Sequence, residues 1–206
     1  MKKQKQSELY WKNSQDSHLA PVEFYIKKKE ILSNILDKIP NVDNALDIGC
    51  GNGEFTSLLL DKANSIKGYD ISAPLLERAI KNHGDNHKLS FTCASIDNIK
   101  EESHSFDLIL CMGVMSCVIA DEKYKNLVSE ISHLATKNSY VIVGDSLSIE
   151  EEILFNGDND YVAKYRNKHN YLQALINSGL VLLSEHTIVK CFSDKVENKL
   201  FLFKKD

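Results

Sequence analysis

Ala45-Leu46-Asp47-Ile48-Gly49-Cys50-Gly51-Asn52-Gly53-Glu54 is the stretch on which the fold turns. Ala45 to Ile48 reads as a short strand, and it runs straight into a glycine loop. Phe55, Leu58, Leu59 and Ala63 then recur at helical spacing, so a helix is expected to follow. A strand, a glycine loop and a helix in that order bring backbone amides and a helix N-terminus to one spot, where a ligand can meet them. Glycine allows both the tight turn and the close approach of ligand to backbone.

The same alternation continues on both sides of this stretch. Upstream, Ile31, Leu32, Ile35, Leu36 and Ile39 predict a helix over 23–39, with Lys27, Lys28 and Lys29 as its solvated face and Pro40-Asn41 ending it. Downstream, a strand over 66–70 is followed by Ser72, a natural N-cap. The next helix carries Leu75, Leu76, Ala79 and Ile80, tolerates Pro74 in its first turn, and stops at Gly84. Strands are expected over 89–93, 106–111 and 140–144, with a helix marked by Tyr124, Leu127, Val128, Ile131 and Ala135. A helix over 168–177, closed by Gly179, leads into 180–185 and 200–203, which read as an antiparallel closing pair. Apolar strands alternating with helices signal an α/β fold, a mostly parallel sheet doubly wound with helices.

Composition narrows the function classes. At 206 residues, 43% apolar and 26% charged, the chain suits one domain with a full core. A net charge of −4 gives no electrostatic reason to expect nucleic acid as a partner. Met1 to Gln6 has the charge of a signal-peptide start, but Ser7-Glu8 follows where an apolar core would be needed. The apolar run Met112 to Ala120 is too short for a bilayer, so the expectation is a cytoplasmic protein with no membrane partner. The cysteines at 50, 93, 111, 117 and 191 are odd in number and lack a C-x-x-C pair, as buried thiols in a reducing compartment would be. No metal-ligand spacing occurs.

The glycine loop also carries chemical information. A dinucleotide fingerprint, G-x-G-x-x-G, would need glycine where Glu54 stands. A carboxylate there opposes a pyrophosphate, and Asp47 is equally awkward. Both suit a ligand that has no phosphate and carries a positive centre, such as S-adenosylmethionine (SAM). In Gly68-Tyr69-Asp70-Ile71-Ser72, Asp70 ends the second strand, where a carboxylate can accept hydrogen bonds from both ribose hydroxyls of an adenosyl group.

Taken together these residues resemble the class I SAM-dependent methyltransferase family, over roughly residues 42–145. Its motif, an acidic residue, x, G-x-G-x-G, is matched by Asp47, Gly49, Gly51 and Gly53, and its ribose-binding acid by Asp70. Ala94-Ser95-Ile96-Asp97-Asn98-Ile99 is similar to the family's adenine loop, with Ser95 where aspartate is common and Ile96 covering the adenine. Phe106 to Met115 resembles the fourth strand and following turn, where backbone near Cys111 and Met112 would face the methionine part of SAM. The resemblance implies a seven-stranded sheet, SAM as cofactor and S-adenosylhomocysteine (SAH) as product. It implies cofactor contacts at Asp47, Gly49, Cys50, Gly51, Gly53, Asp70, Ile71, Ser95, Ile96, Cys111 and Met112. Residues 1–40 are then an N-terminal arm and helix, expected to act as a lid, and 41–206 the SAM-binding domain.

Ligands of this fold meet at the carboxyl ends of the strands. Substrate contacts are therefore sought in the arm, at Tyr10 and Trp11, and after the fifth strand, at Tyr161, Tyr165 and Arg166. No catalytic base is identified, and the candidates are His18, Asp145 and Arg166. Cys111-Met112-Gly113-Val114 stands where a nucleobase amino methyltransferase usually shows D/N-P-P-Y/F. The expected activity is methyl transfer to oxygen or nitrogen of a small polar metabolite. The alternatives are a methyltransferase of RNA or protein and a non-catalytic SAM-binding protein, and Glu54 disfavours a nicotinamide oxidoreductase. Oligomeric state is open.

Overall fold

The computed structural model describes residues 2–95, 98, 99 and 101–206; Ile96, a candidate above, lies outside them. In chain order the elements are α1 (Lys2–Asn13), α2 (Val22–Leu36), β1 (Val42–Ile48), β2 (Ala63–Asp70), α3 (Ala73–His83), β3 (Leu89–Cys93), β4 (Phe106–Met112), α4 (Asp121–Leu134) and β5 (Ala135–Ser148). A hairpin, β6 (Ile153–Asn156) and β7 (Val162–Tyr165), precedes α5 (Lys168–Asn177), β8 (Leu180–Cys191) and β9 (Val196–Lys205).

Seven strands form the main sheet in the order β3-β2-β1-β4-β5-β9-β8. β1 to β5 pair in parallel, and β9 runs antiparallel to both of its neighbours. Side chains alternate across the sheet, as a period of two requires. Leu46, Ile109, Val141, Val143, Phe201 and Phe203 face α4 and α5, where Leu127, Ile131, Tyr171 and Leu175 meet them. Ala45, Leu108, Leu110, Ile142, Leu200 and Leu202 face the other way, onto Leu32, Ile35 and Leu36 of α2. Both faces are therefore sealed, which is why the strand sequences read as unbroken apolar runs. Ser72 caps α3 as expected, its Oγ accepting from Leu75 N at 3.2 Å.

Three features depart from the sequence reading. No α-helix follows the glycine loop: Thr56–Leu59 is one 3-10 turn, and Ala63 already belongs to β2. The connection must carry the chain back along the sheet within few residues, and a 3-10 turn rises about 2.0 Å per residue against about 1.5 Å for an α-helix. The arm contains a full helix, α1, whose buried residues are Gln4 and Ser7. Polar residues on the buried stripe erase the periodicity by which helices are recognised. The β6–β7 hairpin is likewise an addition, turned through Asp158 to Tyr161. No described helix is long and apolar enough to cross a membrane.

Candidate active site

The strand order reverses between β1 and β4, and a crevice opens at their carboxyl ends. Gly49 after β1 and Gly113 after β4 both take left-handed backbone, φ +75° and +78°. A Cβ at Gly113 would meet nothing within 4 Å, so this bend fronts open space. The crevice continues into a cleft of about 1250 Å³. Gly49, Cys50, Gly51, Asp70, Ile71, Ser95 and Met112 line it, as do Tyr10, Trp11, His18, Asp145, Tyr161 and Tyr165. One cavity thus gathers residues from the arm, the glycine loop, the strand ends and the hairpin.

Asp70 organises the loop. Its Oδ2 accepts from Gly51 N and its Oδ1 from Ser72 N, both at 2.8 Å. A carboxylate has about four acceptor positions, which leaves room for ribose hydroxyls. Burial raises the Asp70 carboxyl, while the amides of Ser72, Gly51 and Ile71 pull it down.

Three of the cofactor candidates stand behind the cleft wall. Asp47 is 1% exposed and accepts from Thr56 Oγ1 at 2.6 Å. Burial lifts its carboxyl to about 7, against the pull of the Thr56 hydroxyl. Gly53, φ +80°, lets the loop pack on α3, since a Cβ there would lie 2.9 Å from His83 Cδ2 and 3.2 Å from Ala79 Cβ. Cys111 is fully buried in the core beneath the sheet. These residues shape the loop and its potential from beneath instead of lining the cleft.

The arm lies directly over the glycine loop. Ser72 Oγ donates to Ser14 O at 2.8 Å, and Ser17 is the residue that a Cβ on Gly51 would meet, at 3.4 Å. Glu54 is held from the arm side by His18 and from α2 by Lys29. Burial alone would raise the Glu54 carboxyl, but the contacts with Lys29 and His18 keep it below its ordinary value. His18 also stacks on Tyr25 at 4.0 Å, and the Tyr25 hydroxyl accepts from Leu19 N at 2.8 Å. The charge that argued against a pyrophosphate is therefore a tether for the arm.

Lys28 was assigned to a solvated face, and the structure corrects this. It is 5% exposed, lines the cleft, and its ammonium stands 5.1 Å from the Phe55 ring centre and 5.7 Å from that of Phe24. The sequence did carry a signal: Lys28 falls one helical turn before Leu32, on the stripe Leu32, Ile35, Leu36 and Ile39.

Of the catalytic candidates, Asp145 is 1% exposed at the end of β5 and accepts from Ser116 N at 3.0 Å and from the Tyr171 hydroxyl at 3.2 Å. Burial raises its carboxyl. Arg166 does not line the cleft, contrary to its reading as a substrate anchor. Its two terminal nitrogens donate to Met115 O at 2.8 Å and Val118 O at 2.6 Å, and the guanidinium lies 3.8 Å from the Tyr124 ring centre. It pins the 3-10 turn Met115–Cys117 that borders the cleft. Arg166→Ala should therefore cost about 3 kcal/mol in urea denaturation, since each lost bond is one to a charged group. SAH affinity measured by calorimetry should change less than about threefold, well under a kcal/mol.

Residues 45–138 match the family model described as a methyltransferase domain. The N-methyltransferase NodS from Bradyrhizobium japonicum WM9, crystallised with SAH, superimposes at a TM-score of 0.76 with 16% identity, covering 98% of each chain. Residues 45–138 are thus similar to a methyltransferase domain, on a fold shared with SAM-dependent methyltransferases. A SAM-dependent methyltransferase from Leishmania major is similar to the chain at a TM-score of 0.77 and 18% identity, covering 98% of this chain and 83% of that one. The 1,6-didemethyltoxoflavin-N1-methyltransferase of Burkholderia thailandensis, crystallised with that compound and SAH, gives 0.70 and 14%, covering 89% and 78%. No curated protein sequence matches the chain. Its residues fit SAM as methyl donor: glycine turns at Gly49 and Gly51, open backbone at Gly113, a carboxylate at Asp70, and a buried lysine, Lys28, on the cleft wall. The unpartnered Ser17 Oγ adds a further polar group over the loop.

Proposed function

We propose that the chain is a SAM-dependent methyltransferase acting on a nitrogen or oxygen of a small polar metabolite, inside a chamber closed by the N-terminal arm and the β6–β7 hairpin. The observation that carries this reading is the cover itself. Lys3 Nζ reaches Asn156 Oδ1 at 2.7 Å, Ser7 Oγ reaches Cys117 O at 2.8 Å, and the Tyr10 and Tyr161 rings sit 5.3 Å apart. A cleft roofed from two directions encloses a small reactant and offers no broad face to RNA or to a protein partner. The net charge of −4 points the same way.

SAM brings an activated methyl on a positively charged sulfur. The protein's work is to position the acceptor atom in line, at about 3 Å, and to exclude water. In this reading Asp70 holds the ribose, Ile71 and Ser95 border the adenine, and the backbone of Gly49 to Gly51 and Met112 borders the methionine part. Lys28 faces the cofactor carboxylate. Residues 1–40 act as the lid, latched by the contacts of His18 and Lys29 with Glu54. Asp145 is the better-placed group to take up a proton, because burial raises its carboxyl and it borders the cleft. His18 is already engaged by Glu54.

The test is incubation with SAM and pools of candidate acceptors, followed by mass spectrometry for products one methylene heavier and for SAH. Methylation of RNA or protein with none of small molecules would refute the proposal.

Lys28 also sets a pH dependence. Burial lowers its ammonium to about 8, with Asp145, Asp47 and Cys111 pulling it up. The charge is present below about pH 8 and lost above, so SAH affinity should fall as pH rises through that value. Lys28→Met should flatten the profile in calorimetry across this range. Stability of the ligand-free protein has the opposite slope. The unfolded lysine keeps its proton up to its ordinary 10.5, so the unfolded chain binds more protons between about pH 8 and 10.5, and stability rises with pH across that window.

A further inference from the structure

Among the described residues, four buried side-chain polar atoms have no hydrogen-bond partner: Trp11 Nε1, Ser17 Oγ, Ser139 Oγ and Asn198 Oδ1. Three of their residues, Trp11, Ser17 and Asn198, line the cleft. Folded proteins leave few such atoms, because each forfeits its hydrogen bonds to water without replacement. Their concentration in one cavity marks places that a ligand completes. Ser17 lies over Gly51, on the cofactor side. Trp11 and Asn198 lie toward the acceptor side.

Strand register places Asn198. It stands opposite Ser146 on β5 and Val189 on β8, and its Nδ2 donates to Ser146 Oγ at 2.9 Å. One step along the strands, Gly144 pairs with Leu200 and, on β4, with Met112, at the cofactor end of the cleft. One step the other way, Val196 pairs with Ser148 and Cys191, and it packs with Tyr165 and Phe155 of the hairpin. Each step is two residues, about 7 Å. The Asn198 amide therefore sits between the cofactor end and an aromatic wall.

That wall is continuous. Tyr10, Trp11, Tyr161, Phe155, Tyr165 and Phe192 follow one another with ring centres 5.3 to 6.2 Å apart. Rings this close touch one another and leave no gap for a cation among them, so the wall offers faces and edges instead of a cage. Nothing on it balances an anion either: the Arg166 guanidinium is bound to carbonyl groups, and Lys123 pairs with Glu8 at 2.9 Å. The Trp11 indole N–H lies near the Cys117 thiol, whose sulfur is a weak acceptor.

We infer that the acceptor is a planar, uncharged aromatic compound that lies against this wall and donates an N–H or O–H to Asn198 Oδ1. Asn198 is then a positioning residue that selects acceptors bearing a polar hydrogen. This rests on the reading above that the cleft takes a small acceptor.

The test titrates probes into the SAH-loaded protein by calorimetry. The probes are 1-naphthol, 1-methoxynaphthalene, which lacks the polar hydrogen, and 1-naphthoate, which is anionic. Naphthol should bind about tenfold more tightly than either of the others, the value of one hydrogen bond. Asn198→Leu should remove the preference for naphthol over methoxynaphthalene while SAH affinity stays within about twofold. Tyr161→Leu should weaken all the aromatic probes. Equal binding of naphthoate, absence of naphthol binding, or a naphthol preference that survives in folded Asn198→Leu would overturn the inference. The wild-type series decides it even if that variant does not fold. Failure to bind SAH in the first titration would count against the methyltransferase reading instead.

Discussion

Asp70→Ala is expected to weaken SAH binding by at least about a hundredfold, as measured by calorimetry. Hydrogen bonds to a charged acceptor contribute about 1.5–3 kcal/mol each, and two ribose hydroxyls would be released together. The loss extends to the protein, because the same carboxylate ties Gly51 N and Ser72 N at 2.8 Å. Without it the glycine loop and the start of α3 lose their common acceptor. Asp70→Asn separates the two effects. It keeps the shape and one acceptor oxygen but turns the other atom into a donor facing a backbone N–H. It should lie between wild type and alanine in affinity. An Asp70→Ala protein that binds SAH normally would remove the ribose assignment.

Gly49→Ala should be the most destabilising single substitution in the loop. Left-handed backbone, φ +75°, already disfavours any side chain. The added Cβ would also lie 2.2 Å from Val114 Cγ2, an overlap that forces Val114 into another rotamer or shifts the turn after β4. Strain and overpacking together amount to about 3 kcal/mol, which lowers the melting temperature by about 10 °C for a chain of this size. The affected atoms lie on the two sides of the crevice, so SAH affinity should fall with stability. An unchanged melting temperature would show that the turn has slack.

The glycine motif, Asp70 and the succession of strands in the first half were legible because they follow from local chemistry. Three glycines in left-handed backbone, a carboxylate at a strand end and Ser72 at a helix start each declare themselves within a few residues. Glu54 was read correctly as a charge and incompletely as a part. Its partners, His18 and Lys29, reach it only because the arm folds back across the loop. Arg166 misled for the same reason: an arginine among tyrosines looks like an anion site until Met115 O and Val118 O are seen to accept its hydrogen bonds. Asn198 offered a faint signal as a polar residue on the otherwise apolar row Val196, Leu200 and Leu202.

From the sequence alone came the alternation of strands and helices, the glycine turn and the acid that follows the second strand. Periodicity and backbone freedom act over a few residues, so they are written in the order of the chain. Tertiary structure alone decided what closes the cleft and which polar atoms look into it. Helix α1, the β6–β7 hairpin and the amide on β9 come from opposite ends of the chain. Their contacts depend on how the sheet brings those ends together, a long-range packing outcome that no local pattern encodes.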